Sequence, residues 1–216
     1  MTCSEESPME FVREGHLGGY VKSDHRFPNG DPLTYCPTVW EWMIERFHPR
    51  TLLDVGAGEG HAVAYFRRRG VRALGIEGSQ TALRTSRRWL EPGWLVAHDY
   101  TSGPLPSGTV DSVDVIWSAE FVEHVEARFE EHFLSTFDLA RVVFMTHGLP
   151  GQPGHHHVNC HPPGYWIRRM AQRRFLLDQE ATEHSRKREH RTDASWRQSG
   201  LVFVKGEAHS GKGGGP

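Results

Sequence analysis

The chain's pattern predicts an α/β fold on a mostly parallel sheet, and two observations carry that prediction. Short apolar runs alternate with amphipathic stretches, as strands joined by crossover helices do. The first strong apolar run, Thr51-Leu52-Leu53-Asp54-Val55, passes directly into the alternating glycines of Gly56-Ala57-Gly58-Glu59-Gly60. Such a loop lets the backbone turn sharply and bring N–H groups to a ligand at a helix N-terminus.

In chain order, Pro37 to Phe47 reads as a helix, with proline suited to its first turn and apolar residues spaced for one buried face beside the cleft. Strands are expected near 51–55, 72–76, 94–97, 112–117 and 141–146, with helices near 59–69, 80–90, 126–139 and 162–173. Arg174-Phe175-Leu176-Leu177-Asp178 and Leu201-Val202-Phe203-Val204-Lys205 flank a long polar stretch without a strong helical period, which suits a closing antiparallel hairpin. Residues 1–206 read as one domain, and no internal repeat is present. The segment 1–36, with glycine hinges and aromatic side chains in 15–20 and 30–35, reads equally as a lid or as a structural wrap. The glycine-rich tail 207–216 is expected to be disordered.

Seventeen residues beyond Gly60, Glu77 ends the second strand, where an acid can take both hydroxyls of a ribose. The third glycine arrives one residue earlier than in the dinucleotide fingerprint, and Asp54 precedes the first. This combination resembles motif I of the class I S-adenosylmethionine-dependent methyltransferases, and the resemblance extends over roughly 37–206. It implies a Rossmann-like, seven-stranded, mostly parallel sheet with one reversed strand and helices on both faces, and S-adenosyl-L-methionine as cofactor. Carried onto this chain, it assigns cofactor binding to Asp54, Gly56, Ala57, Gly58, Gly60, Glu77, Gly78, Asp99, Tyr100 and Ser118. Asp99 is the acid expected to receive the adenine amino group, and Ser118 ends the strand that faces the methyl group. Taken alone, Glu77 reads equally as an acid ahead of the helix cap Gly78-Ser79.

The segment Glu120-Phe121-Val122-Glu123-His124 follows the fourth strand. A helix starting there would turn Glu120, Glu123 and His124 to one side. Two carboxylates and an imidazole offer ligands to Mg²⁺, Mn²⁺ or Zn²⁺. This E-x-x-E-H pattern is similar to the metal-binding segment of ubiquinone-pathway O-methyltransferases and small-RNA 2′-O-methyltransferases; in the latter a further histidine comes from the loop after the fifth strand. Here that loop contains His155, His156, His157 and His161, and His157 is the candidate fourth ligand. Without metal, His124 or His157 would serve as general base and Asn159 would orient the acceptor. Tyr165 and Trp166 read as core or as a stacking surface.

A formal charge of −2 in 216 residues supplies no general drive toward nucleic acid or anionic membrane. The arginine clusters at 67–69, 84–88, 168–174 and 186–188 read as helix or strand faces. No apolar run approaches membrane-spanning length and no leader pattern opens the chain, so a cytoplasmic location is expected. Cys3, Cys36 and Cys160 are widely spaced and expected to be reduced. The sequence therefore predicts methyl transfer from S-adenosyl-L-methionine to an oxygen or nitrogen of a small molecule or a polymer end, with Mg²⁺ or Mn²⁺ as a candidate helper. A cofactor-binding scaffold and an NAD-dependent oxidoreductase are the competing readings.

Overall fold

A computed structural model describes residues 9–206; Cys3 and the tail 207–216 lie outside the described residues. The chain opens with a two-stranded antiparallel hairpin, β1 (Phe11–Arg13) and β2 (Gly19–Val21). Next come α1 (Pro37–Phe47), β3 (Thr51–Val55), α2 (His61–Arg68), β4 (Arg72–Glu77), α3 (Gln80–Ser86), β5 (Leu95–Ala97) and β6 (Val113–Ser118). The second half contains α4 (Glu130–Phe137), β7 (Ala140–Met145), α5 (Pro163–Gln172), β8 (Phe175–Leu177), α6 (Gln179–Arg188), α7 (Ser195–Ser199) and β9 (Leu201–Lys205).

Seven strands form one sheet in the order β5-β4-β3-β6-β7-β9-β8. β3 pairs in parallel with both β4 and β6, and β9 runs antiparallel to β7 and β8, which makes it the single reversed strand. Strand order reverses direction between β3 and β6, so their carboxyl ends open a crevice. The strands alternate their side chains between two cores. Leu52, Trp117, Phe144 and Val202 pack with Trp40, Phe66 and Trp196 on one face. Leu53, Ile116, Val143 and Phe203 pack with Phe133, Phe137 and Trp166 on the other, which places Trp166 in the core.

Local chemistry sets the helix starts. Pro37 occupies the first turn of α1, which buries Val39, Trp40, Trp42 and Met43. Ser79 Oγ accepts from Ala82 N–H at 3.0 Å and caps α3. Asp178 caps α6 through Ala181 N–H at 2.9 Å.

Two sequence expectations need correction. The polar stretch between β8 and β9 is not a simple hairpin connection; it folds into α6 and α7. Only Ala181, Thr182 and Ser185 of α6 are buried, so its inner face carries no apolar periodicity to read. The first turn-like segment contains the β1–β2 hairpin, whose three-residue strands are too exposed to show alternation.

The arginine clusters are largely engaged within the chain. Arg67 donates to Ala73 O at 2.7 Å and lies over Trp94, while Arg169 and Arg173 pair with Glu130, Glu131 and Asp138. Cys36 and Cys160 are free thiols. Among the described residues no helix is long and apolar enough to cross a membrane.

Candidate functional site

A cavity of about 370 Å³ lies at the carboxyl ends of β3, β4 and β6. It falls within the size range of small-molecule sites. Its walls come from the glycine loop, the tips of β4 and β5, the segment after β6, the histidine loop after β7, and residues of the stretch 11–40.

Glu77 is the best-defined polar feature. Gly58 N–H donates to its Oε2 and Ser79 N–H to its Oε1, both at 2.6 Å. The two readings of this residue are compatible: Ser79 caps α3, and Glu77 holds the loop on one side and the cap on the other. Burial pushes its carboxyl up to about 7, against the pull of these backbone donors. Asp54, 3 % exposed, is pushed up to about 8 by burial and then by the Glu77 charge. Two acids thus sit desolvated on the same wall, a costly arrangement that a hydroxyl-rich, cationic ligand would relieve.

The loop glycines have different roles. Gly58 has φ +54° and open space where a side chain would lie. At Gly56, φ +81°, a Cβ would come within 2.7 Å of the Phe121 ring. Gly60 is not on the cavity wall, contrary to the sequence expectation; it starts α2 at φ +81°, and a Cβ there would meet Leu90 Cδ1 at 2.4 Å.

At the tip of β5, Asp99 Oδ1 accepts from Thr101 N–H and Oγ1–H at 2.8 Å each, and Oδ2 pairs with His16 Nε2 at 2.8 Å. Burial pushes the Asp99 carboxyl up, but the His16 and Thr101 bonds outweigh it and leave it below the usual range. Tyr100 contributes backbone only, since its hydroxyl donates to Thr136 Oγ1 at 3.0 Å inside the core. Ser118 is also corrected: it is fully buried, and its hydroxyl donates to Val55 O at 3.0 Å, tying β6 to β3 rather than facing a ligand.

The E-x-x-E-H segment is not the helix expected of it. Glu120 sits at φ +49°, and Val122–His124 forms a single 3₁₀ turn, so the one-sided i, i+3, i+4 arrangement fails. Glu120, His124 and His157 still converge, with one ligand atom from each lying within 4.8 Å of the others. The His124 and His157 rings meet edge to face at 5.0 Å. Glu123 is outside this group: it is fully buried, and neither carboxylate oxygen has a hydrogen-bond partner. Burial and the neighbouring Glu120 charge push its carboxyl far up. Burial holds His124 down at about 4, so its imidazole is neutral at physiological pH. A carboxylate and two imidazoles suit a borderline divalent cation, and they equally suit proton transfer.

Asn159 is a further correction. It is 2 % exposed and off the cavity wall; its Nδ2 donates to Glu130 Oε1 at 3.0 Å, and its backbone N–H to Glu123 O at 3.0 Å. Glu130 also accepts from Tyr165 and Arg169. Asn159 therefore ties the histidine loop to α4 and α5. The stacking candidate Tyr165 carries His161 at 3.8 Å, away from the cavity.

The fold also delivers residues that no motif marked. His16 reaches Asp99 across 83 positions of sequence. Ser23 donates to the buried Glu59, whose Oε2 lies 3.4 Å from His61 Nε2. Leu17 lies against Gly78, and Phe11 lies edge-on to His155. The stretch 11–31 thus lies over the cavity through contacts that only the tertiary structure creates; the glycine hinges were its one visible sign.

Comparison with known proteins agrees with this architecture. Residues 53–142 match the methyltransferase domain family. An uncharacterized methyltransferase of Mycobacterium sp. (strain JLS) is 31% identical over 129 residues, covering 53% of this chain and 50% of the relative. The chain spans about half the length of the curated relatives it matches. Among solved structures, a TehB-like SAM-dependent methyltransferase from Corynebacterium glutamicum shares the fold at a TM-score of 0.58 and 17% identity, over 80% of this chain and 88% of its own. The magnesium protoporphyrin IX methyltransferase of Synechocystis PCC 6803, with bound SAM, does so at 0.55 and 13%, over 78% and 76%. Residues 53–142 thus match a methyltransferase domain model, and the seven-stranded sheet shares its fold with these solved S-adenosylmethionine-dependent methyltransferases.

Proposed function

We propose that this chain binds S-adenosyl-L-methionine in the cavity and transfers its methyl group to an oxygen or nitrogen of a small acceptor. The single observation that carries the reading is Glu77, a carboxylate fixed by two backbone N–H groups at the tip of β4 and facing the cavity with Asp54 and Asp99. Glu77 would take the ribose hydroxyls, Asp54 the charge of the methionine amino group, and Asp99 with the Tyr100 backbone the adenine edge. Bound there, the cofactor supplies a methyl already activated on a sulfonium, so the chain must add alignment and, for a protonated nucleophile, a base. His124 and His157 stand at the cavity wall to take that proton. Residues 9–36 would act as a lid, since His16 occupies the Asp99 oxygen that the adenine amino group would use.

A second reading adds a divalent cation on Glu120, His124 and His157, and it is favoured by the convergence of their ligand atoms. The cation would hold and acidify an acceptor hydroxyl. Titration calorimetry with S-adenosylmethionine, S-adenosylhomocysteine and NAD, with and without EDTA and added Mg²⁺ or Mn²⁺, tests both readings. Binding of the two sulfur nucleosides and not NAD is expected. No binding at millimolar concentration, or a preference for NAD, overturns the first reading; methyl transfer at full rate in EDTA with no metal by elemental analysis overturns the second. Tight binding without turnover over a broad acceptor panel would leave a scaffold.

A further inference from the structure

The walls of the cavity have an unusual charge balance. The sequence contains 25 lysines and arginines, and none of those described lines the cavity. Besides the three acids assigned to the cofactor, the walls contain Glu14, Asp31, Glu59 and Glu120. Glu59 is held by Ser23 and His61, and Glu14 lies near enough to Glu77 to act on it, which leaves Asp31 and Glu120 as the acids at the end where Glu120 meets His157. They are close enough for the Asp31 charge to act on the Glu120 carboxyl. Behind Asp31, the Arg191 guanidinium is bound by Glu189 at 2.9 and 3.0 Å and by Tyr35 O at 2.8 Å, so it is turned to the protein and not to the cavity. Tyr35, whose N–H bonds to Asp31 O, and Trp117, linked to it through Trp40, give this end aromatic surface. Trp40, 2 % exposed on the same wall, has an indole N–H without a partner, an unmet donor of the kind a ligand satisfies.

We infer that the acceptor is an alkyl- or arylalkyl-amine, held as a cation between Asp31 and Glu120 against the Tyr35 side of the cavity, and that acceptors carrying phosphate or carboxylate are excluded. The inference rests on the methyltransferase reading and names its substrate class. An anion entering this cavity would meet carboxylates and no lysine or arginine among the described residues, whereas an ammonium gains charge-assisted bonds and contact with aromatic faces. The chemistry balances. The ammonium gives one proton to the imidazole of His157. The nitrogen lone pair then forms the N–C bond as the C–S bond breaks with its electron pair staying on sulfur. The positive charge leaves the sulfonium and ends on the methylated nitrogen, and a neutral thioether remains. Asp31 and Glu120 lie where that charge develops, and fixed charges aimed at a developing charge lower a barrier.

The test uses 2-phenylethylamine, 2-phenylethanol, phenylacetate and phenyl phosphate as probes, titrated by calorimetry in EDTA against the full chain with and without saturating S-adenosylhomocysteine. The amine should bind at least about tenfold more tightly than the alcohol and the two acids. Asp31→Asn and Glu120→Gln should each weaken the amine by about tenfold while leaving the alcohol and S-adenosylhomocysteine within about threefold. Equal binding of the alcohol, preference for either acid, or no amine binding at about 10 mM overturns the inference. Because wild-type selectivity is also measured without the nucleoside, failure of S-adenosylhomocysteine to bind sinks the methyltransferase reading separately, and the amine preference is still scored.

Discussion

Removing the Glu77 carboxylate by Glu77→Ala should separate cofactor binding from stability. The side chain ends in two short bonds from Gly58 and Ser79 N–H, so its oxygens are fixed before any ligand arrives. Two ribose hydroxyls bonding to a fixed carboxylate contribute about 1.5–3 kcal/mol each, and losing even one weakens binding by about tenfold or more. Loss of both places the fall on the order of a hundredfold. Glu77→Gln is the less clean variant, because one end of its amide would set an NH₂ against a backbone N–H at 2.6 Å. The pH dependence gives an internal control. In the free protein the carboxyl titrates at about 7, so below that value it must lose a proton to bind. The Glu77 part of the wild-type affinity should therefore rise with pH up to about 7 and be about tenfold lower at pH 6 than above it, beneath a further rise as Asp54 ionises near 8. In Glu77→Ala this part of the profile should be flat. Calorimetry with S-adenosylhomocysteine from pH 6 to 8.5, with melting temperatures on the same samples, makes the measurement. The reasoning is refuted if variant and wild type agree within about threefold at pH 8.

The other expectations are narrower. Asp54 is raised to about 8 from an ordinary carboxyl value near 4, so the stability it contributes is complete below pH 4 and is lost as pH rises through 8. The melting temperature of the ligand-free protein should fall over that window and Asp54→Asn should flatten the fall; an unchanged slope would contradict a buried carboxyl. Asn159→Ala leaves the Glu130 carboxylate and the Val122 carbonyl short of a donor and should cost about 1–3 kcal/mol in denaturant unfolding with little change in cofactor affinity. His157→Ala, by contrast, should keep its melting temperature and lose roughly 10²-fold in single-turnover methyl transfer; the opposite ordering of these two variants would remove the cavity role of His157. Gly56→Ala forces a Cβ to within 2.7 Å of Phe121 at φ +81° and should lower both cofactor affinity and stability; a variant indistinguishable by calorimetry would show that the loop yields freely.

The sequence by itself determined the strands of the sheet and the glycine-loop end of the cavity, because those features are written locally. Four buried residues of β3, the glycines after them and an acid at the tip of β4 depend on strand period and turn chemistry over a few positions. The two central strands bury both faces, so their apolar runs are unmistakable. Helix α6 was not legible, because its stability comes from a cap and from small residues against α1, and neither produces a period. The acceptor end was decided only by the tertiary structure. Whether Glu123 or Glu120 joins the histidines depends on one positive φ and a 3₁₀ turn, and spacing counted along an assumed helix pointed the wrong residue inward. Asn159 and Ser118 sit at the right places along the chain yet face a carboxylate network and a strand carbonyl instead of the cavity. Asp31, His16 and Trp40 reach the cavity from the N-terminal side of the sheet, at sequence distances over which no local rule operates. Side-chain direction at a loop is set by the packing of elements remote in sequence, and so motif spacing identified the glycine-loop end of the cavity while the opposite wall had to come from the fold.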